Sequence, residues 1–260
     1  MVNDACFSVI ANTGGVKVNA ESWNNLKLIE IGSVQDGDWI LKEDYANSGV
    51  RLIQIGDIGI GKFLGKSRRY ITPERAKELG CNLVDPKSDI LISRMPDPIG
   101  RACLAPNIST PYIVAVDIAI FKPKFSVSRD YLIQILNFHK TLEVVDSLAS
   151  GGTRRRISRK NLENISIPIP SAHEQHKIAA ILSSVDAAIE QTDVIIAQTE
   201  RMKKGLMQEL FTKGIGHDDF NNTEFGQLPA TWKIAPISSY LNRIIDYRGR
   251  HRRKLRTGSR

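Results

Sequence analysis

The stretch Ser150-Gly-Gly-Thr-Arg-Arg-Arg-Ile-Ser-Arg-Lys160 places two glycines and five cationic side chains, Arg154, Arg155, Arg156, Arg159 and Lys160, within eleven positions. Glycine lets a ligand approach the backbone closely. The hydroxyls of Thr153 and Ser158 can donate to phosphate oxygens, and the planar fork of arginine fits both phosphate and the edge of guanine. The group suits phosphate, whether of a nucleotide or of a nucleic acid, although a run of charge is also the ordinary composition of a solvated loop. A second cluster, Lys62, Lys66, Arg68 and Arg69 interleaved with Phe63 and Tyr70, permits the same two readings. Arg94, at the end of an expected strand, joins the candidates.

Neither cluster sits in the framework of a nucleotide-binding enzyme. Gly56-Asp-Ile-Gly-Ile-Gly61-Lys62 fills the first seven places of the P-loop pattern, but Phe63 stands where a hydroxyl should bind Mg²⁺. Phe63-Leu64-Gly65 does not open a helix either, so a glycine-rich hairpin or bulge is expected. Gly151-Gly152 lacks the strand and helix of a dinucleotide fold. Ser109-Thr-Pro-Tyr112 has one of the two prolines of the amino-methyltransferase tetrapeptide, with no glycine-rich cofactor loop before it. Met95-Pro96-Asp97 could begin a nuclease core, yet the chain contains no Glu-x-Lys. Gln175-His176-Lys177 fits only a looser form and falls in the first turn of a helix, where its residues read as solvent-facing. His173 and His176 lack further ligands, and Cys6, Cys81 and Cys103 are widely spaced, so neither a zinc site nor a disulfide framework is expected. The chain reads as a non-enzyme that takes no cofactor or metal.

The elements that must position these residues are mixed. Apolar alternation suggests strands at 50–55, 89–94, 102–105 and 112–121, separated by Gly, Pro and Asp. Thr72-Pro73-Glu74 predicts a short helix to about Leu79. Ser128 precedes a longer one with Leu132, Ile135, Leu136, His139, Leu142 and Val145 on one face. No regular βαβ repeat is present, so the expected class is α+β, a globular domain over 1–170. The chain has 260 residues, 42% of them hydrophobic, enough for an ordinary core. No apolar run could cross a bilayer and no secretion signal opens the chain, so a cytoplasmic location is expected. The net charge is +8, but seven Arg/Lys against one Asp between Asp246 and Arg260 supply +6 of it, leaving a nearly balanced body.

At Ile167-Pro-Ile-Pro170 two prolines force an extended segment, and Ser171-Ala-His-Glu174 supplies a capping box for a helix over 171–213. Ile178, Leu182, Val185, Ile189, Ile196, Leu206 and Leu210, with Thr192, Thr199 and Lys203 in the remaining slots, step by four and three over more than four heptads. At 1.5 Å per residue such a helix is roughly 60 Å long, too long for the preceding domain to cover. It needs a partner helix. Gly205 weakens its end, and Gly214 and Gly216 finish it. Beyond it, "LPATWKIAPISSYL" repeats the spacing of "ESWNNLKLIEI": Trp232 precedes Ile237 as Trp23 precedes Leu28, each opening an expected strand. Residues 214–260 thus read as a linker and the truncated start of a second domain copy.

"SGGTRRRISRKNLENISIPIPSAHEQHKIAAIL" resembles the end of a target-recognition domain and the start of the spacer helix in specificity (S) subunits of type I restriction-modification enzymes. The matching features are Gly152-Thr153, Ile157-Ser158, the turn from Ile165 to Pro170, and Glu174-Gln175. The Trp23 and Trp232 openings resemble the family's domain starts. The resemblance implies two recognition domains held apart by antiparallel helices, each reading half of a split double-stranded DNA target. Methylation (M) subunits would dock on the helices and bring the restriction (R) subunit, with no catalysis in the S subunit itself. A half-length chain would pair its long helix with that of a second copy as a homodimer. The basic end after Arg250 reads as a frameshifted or vector-derived end, or as a disordered DNA-binding arm. The competing reading is an interaction scaffold whose coiled coil assembles proteins without specific DNA recognition.

Overall fold

The computed structural model describes residues 23–124 and 126–241, in two units, Met1–Ala187 and Ala188–Arg260. The first is α+β. In chain order it contains β1 (Asn24–Lys27), α1 (Leu28–Ile31), β2 (Gly32–Asp36), β3 (Tyr45–Ala46), β4 (Val50–Ile53), β5 (Arg69–Ile71) and α2 (Pro73–Glu78). There follow β6 (Ile90–Ser93), β7 (Ala102–Leu104), β8 (Tyr112–Val114), β9 (Ile118–Pro123), α3 (Arg129–Leu136), α4 (His139–Ser147), α5 (Arg159–Glu163) and β10 (Ser166–Ile169). The long helix α6 (Ala172–Lys213) starts here.

Two four-stranded sheets, ordered β2-β9-β6-β7 and β3-β5-β4-β8, carry the body. β6 and β9 are buried on both faces, which is why they read as unbroken apolar runs. Alternation divides their side chains between two cores. Ile90, Ile92, Ala119 and Phe121 join Tyr131, Leu132, Leu136, Val145 and Leu162 of the helices. Leu91, Ile118 and Ile120 join Ile53, Tyr112 and Val114 of the other sheet.

Two expectations about the sheets and helices of this body need correction. The apolar stretch 112–121 is two strands in different sheets, because Ala115 to Asp117 turn the chain between them; Ile118 N–H donates to Ala115 O at 2.9 Å. The helix expected from Ser128 through Val145 is broken after Leu136. There the Asn137 amide turns to β7, donating to Ala102 O at 2.9 Å and accepting from Ala102 N–H at 3.0 Å. The cap residues themselves behave as their types dictate, since Thr72 and Ser128 oxygens accept from the backbone N–H groups of Arg75 and Tyr131.

The start of α6 is welded to the domain. Ser171 Oγ accepts from Glu174 N–H at 3.4 Å, while the Glu174 carboxylate accepts from the Trp23 indole at 3.1 Å. Gln175, expected to face solvent, is 2% exposed. Its amide accepts from Ser128 N–H and donates to Pro170 O, both at 2.8 Å. Together with Ala179 and Ile178 against the helical core, these contacts carry the first unit past Pro170 into the helix. Ile178 is therefore partly covered by its own domain. β1 pairs antiparallel with β10, joining the two ends of the domain at the helix root.

In the second unit α6 runs on to Lys213, and Gly214, in the left-handed region at φ +65°, ends it. β11 (Phe220–Thr223) and β12 (Gly226–Pro229) form an antiparallel hairpin. The Trp232 opening leads to a single 3₁₀ turn, Ile237–Ser239, and not to a strand within the described residues. The basic end at 246–260 lies outside the described residues.

Replacing Gln175 by alanine strands one buried N–H and one buried carbonyl. Urea unfolding should show a loss of about 2 kcal/mol, against less than about 0.5 kcal/mol for the exposed neighbour Lys177→Ala.

Candidate nucleic-acid interface

The two basic clusters sit on loops at the ends of the buried strands. The 54–68 connection joins β4 to β5, which are antiparallel neighbours, so its ends are close. Asp57, fully buried, closes its base. Its carboxylate accepts from Gln54 N–H at 2.8 Å, from Ser67 N–H at 2.6 Å and from the Ser67 hydroxyl. Ile58 bridges Phe63, so the glycine-rich stretch is a hairpin, and Gly61, at φ +71°, donates its N–H to Ala102 O at 2.9 Å. Arg51 supports the loop from beneath, donating to Ser67 O at 3.0 Å with its guanidinium 5.5 Å from the Phe63 ring centre.

Buried Arg101 ties this loop to its neighbour. It donates to Ile58 O at 2.7 Å and Ile55 O at 3.0 Å on one side, and to Met95 O at 3.0 Å and Pro98 O at 2.8 Å on the other. Burial lowers its pKa below the usual arginine value, yet a guanidinium with four carbonyl partners keeps its charge.

The Ser150–Lys160 stretch folds back on itself. Ser150 and Arg156 exchange backbone hydrogen bonds at 3.0 and 2.8 Å, and Gly151 takes φ +106°, where a Cβ would lie 2.6 Å from Arg154 O. The Ser158 oxygen accepts from Asn161 N–H at 3.1 Å as the cap of α5, which leaves its O–H to donate. This short helix has no long apolar stripe and so gives no periodic signal in the sequence.

The arginines divide by partner. Arg155 grips both carboxylate oxygens of Asp146 at 2.9 Å. Arg156 donates to Val116 O at 3.2 Å, and its Nε lies 3.0 Å from Asp117, close enough for an ion pair but without the alignment of a hydrogen bond. Arg159 meets Asp36 at 3.3 Å and Glu163 at 3.4 Å. Arg94 is buried, bonded to the Asp36 carboxylate and to Ile157 O, and so braces the fold. Burial and the charge of Arg156 both pull its guanidinium below its ordinary pKa, while Asp36 opposes them. In the second cluster Arg68 donates to Gly65 O and Ser67 O, and Arg69 to the Tyr45 hydroxyl while stacking on its ring at 4.7 Å. Thr153, Arg154, Lys160, Lys62 and Lys66 are exposed, and among the described residues the four cations make no ion pair.

An open cleft of about 460 Å³ lies at the first loop. Gln54, Lys66 and Ser67 line it from the first loop, and Ala115 and Asp117 from the β8–β9 turn that holds Arg156. Gln54, Asp57, Arg101 and Asp117 carry no sequence signal, since each acts through partners distant in the chain. Burial pushes the Cys103 thiol up to about 12 and that of Cys81 up to about 11, so both stay protonated near neutral pH. Among the described residues no three His, Cys, Asp or Glu converge on one point, and no helix is long and apolar enough to cross a membrane.

The fold is similar to that of solved type I specificity subunits. The crystal structure of the type I restriction-modification system S subunit from M. genitalium matches 76% of this chain and 48% of its own, with a TM-score of 0.54 at 17% identity. A family model described as the type I restriction modification DNA specificity domain matches residues 20–201, and the chain belongs to that family. The type I restriction enzyme MjaIX specificity subunit of Methanocaldococcus jannaschii is 27% identical over 245 residues, covering 85% of this chain and 52% of that protein. The MjaVIII specificity subunit of the same organism is 37% identical over 87 residues, covering 33% of this chain and 20% of that protein. The chain thus spans about half or less of the curated relatives it matches.

Asp57→Asn removes the charge that clamps the 54–68 loop. Trypsin should then cut after Lys62 and Lys66 several-fold faster, with cleavage after the buried Arg94 and Arg101 unchanged; equal rates at all four sites would show that the clamp does not hold the loop.

Proposed function

We propose that the chain binds double-stranded DNA as the specificity component of a type I restriction-modification system in the cytoplasm, and that it is not itself catalytic. The observation that carries this is the division of its cations. Arg155, Arg159 and Arg94 are held by carboxylates and brace the fold, whereas Arg154 and Lys160 in one cluster and Lys62 and Lys66 in the other are exposed and make no ion pair among the described residues. Free cations on rigid loops suit phosphates, and Thr153, Arg68 and Arg69 can add hydrogen bonds at the same surfaces. The ion pair of Arg156 with Asp117, a residue lining the cleft, supports the same reading, since a guanidinium suits a base edge or a phosphate.

The long helix supplies the second half of the reading. Leu182, Val185, Ile189, Ile196, Leu206 and Leu210 repeat by fours and threes and are each 40% exposed or more. Such a stripe fits a helix from a second copy, which would set two recognition domains on a split target, and it gives M subunits, and through them the R subunit, a surface to dock on. The same stripe favours the competing scaffold reading, in which the helix assembles proteins and DNA is not bound.

DNA binding separates the two. Anisotropy titrations with a labelled duplex should give a log K that falls linearly with log salt, and Arg154→Ala with Lys160→Ala should flatten the slope by about 0.9 for each phosphate no longer neutralised. No salt-dependent binding, alone or with the M subunit, would leave only the scaffold. Light scattering should report a dimer that Ile189→Asp with Ile196→Asp converts to monomer; a monomer at all concentrations would refute self-association.

A further inference from the structure

We infer that the cleft between the 54–68 loop and the β8–β9 turn is where this domain reads base edges, and that Gln54 is a specificity-determining residue taking an adenine. The inference rests on the DNA-binding reading and goes beyond it by naming the reader and its base.

Gln54 has a fixed backbone and an open side chain. Its N–H is held by the buried Asp57 carboxylate at 2.8 Å, in extended conformation at φ −109° and ψ 164°. Its amide lines the cleft half-buried, yet among the described residues it has no hydrogen-bond partner. Asn137 and Gln175, by contrast, are engaged, the first by Ala102 and the second by Ser128 and Pro170; Gln35 also has an unbonded amide oxygen, but that oxygen is buried and does not line the cleft. A carboxamide presents one acceptor and two donors side by side, which matches N6 and N7 of adenine in the major groove.

The surroundings suit a duplex. Lys66, exposed and without an ion pair, stands on the same wall as Gln54 and can meet a flanking phosphate. Across the cleft, Asp117 and Val116 O hold the Arg156 guanidinium in one pose. The floor is anchored from below by Asp57 and Arg101, so both walls are set before DNA arrives and little ordering is needed on binding.

The test is selection from a pool of randomised duplexes by the full chain, wild type, Gln54→Ala and Gln54→Met, the last keeping length and burial. Wild type should enrich a motif. Both variants should turn one adenine of it degenerate and weaken binding to the selected duplex about 10-fold, with binding to unselected duplex within about twofold of wild type. Lys66→Ala should weaken all sequences alike. An unchanged motif in a variant with the wild-type unfolding midpoint overturns the role of Gln54 and leaves DNA recognition standing. Loss of binding to all duplexes by a folded variant overturns it too, by making Gln54 a source of affinity and not of specificity. A wild-type chain that binds no duplex overturns the DNA-binding reading itself.

Discussion

Burial of β6 and β9 on both faces is the constraint from which the rest of the first unit follows. A strand covered on both sides can present nothing to a ligand along its length, so what β6 and β9 offer the surface is the loops at their ends. The 54–68 connection has little regular structure of its own, a 3₁₀ turn at Ile55–Asp57 and a bridge between Ile58 and Phe63. Buried polar side chains do the holding: Asp57 draws together the two ends of one loop, and Arg101 joins that loop to the next through four carbonyls. Each such group has given up hydration, so each must be fully bonded to be tolerated, and the bonding that makes it tolerable also fixes the loop.

The basic character of the domain is accordingly smaller at its surface than in its composition. Asp36 takes up Arg94 and Arg159, Asp146 takes up Arg155, and Asp117 lies against Arg156. These acids turn a run of arginines into a folded junction between the α+β domain and the root of the long helix. Among the described residues Arg154, Lys160, Lys62 and Lys66 are left without an ion pair.

The helix obeys a different logic. Its first turns belong to the domain through Trp23, Gln175 and Ala179, and the Glu174-Gln175 pair of the family motif has a structural reason: one side chain receives the indole, the other joins Ser128 to Pro170. Beyond that root the apolar stripe of the described helix is exposed.

Much of this was readable from local pattern. The caps at Thr72 and Ser128, the extended Ile167–Pro170 segment, the helix to Lys213 with its glycine stop, and the hairpin at 58–63 each depend on residues a few positions apart, where steric and hydrogen-bonding preferences act directly. The breaks at 115–117 and at Asn137, the burial of Gln175 and the α5 turn were not readable, because sheet membership and Asn137's bonds to Ala102 come from distant segments. The same division runs through the site. Sequence alone determined which cations exist, that no familiar nucleotide cradle frames them, and that a long helix with a repeating apolar stripe follows the domain. Only the tertiary structure decided which arginines brace and which are free, since Arg159 and Asp36 are 123 positions apart, and a charge's availability depends on what lies next to it in space.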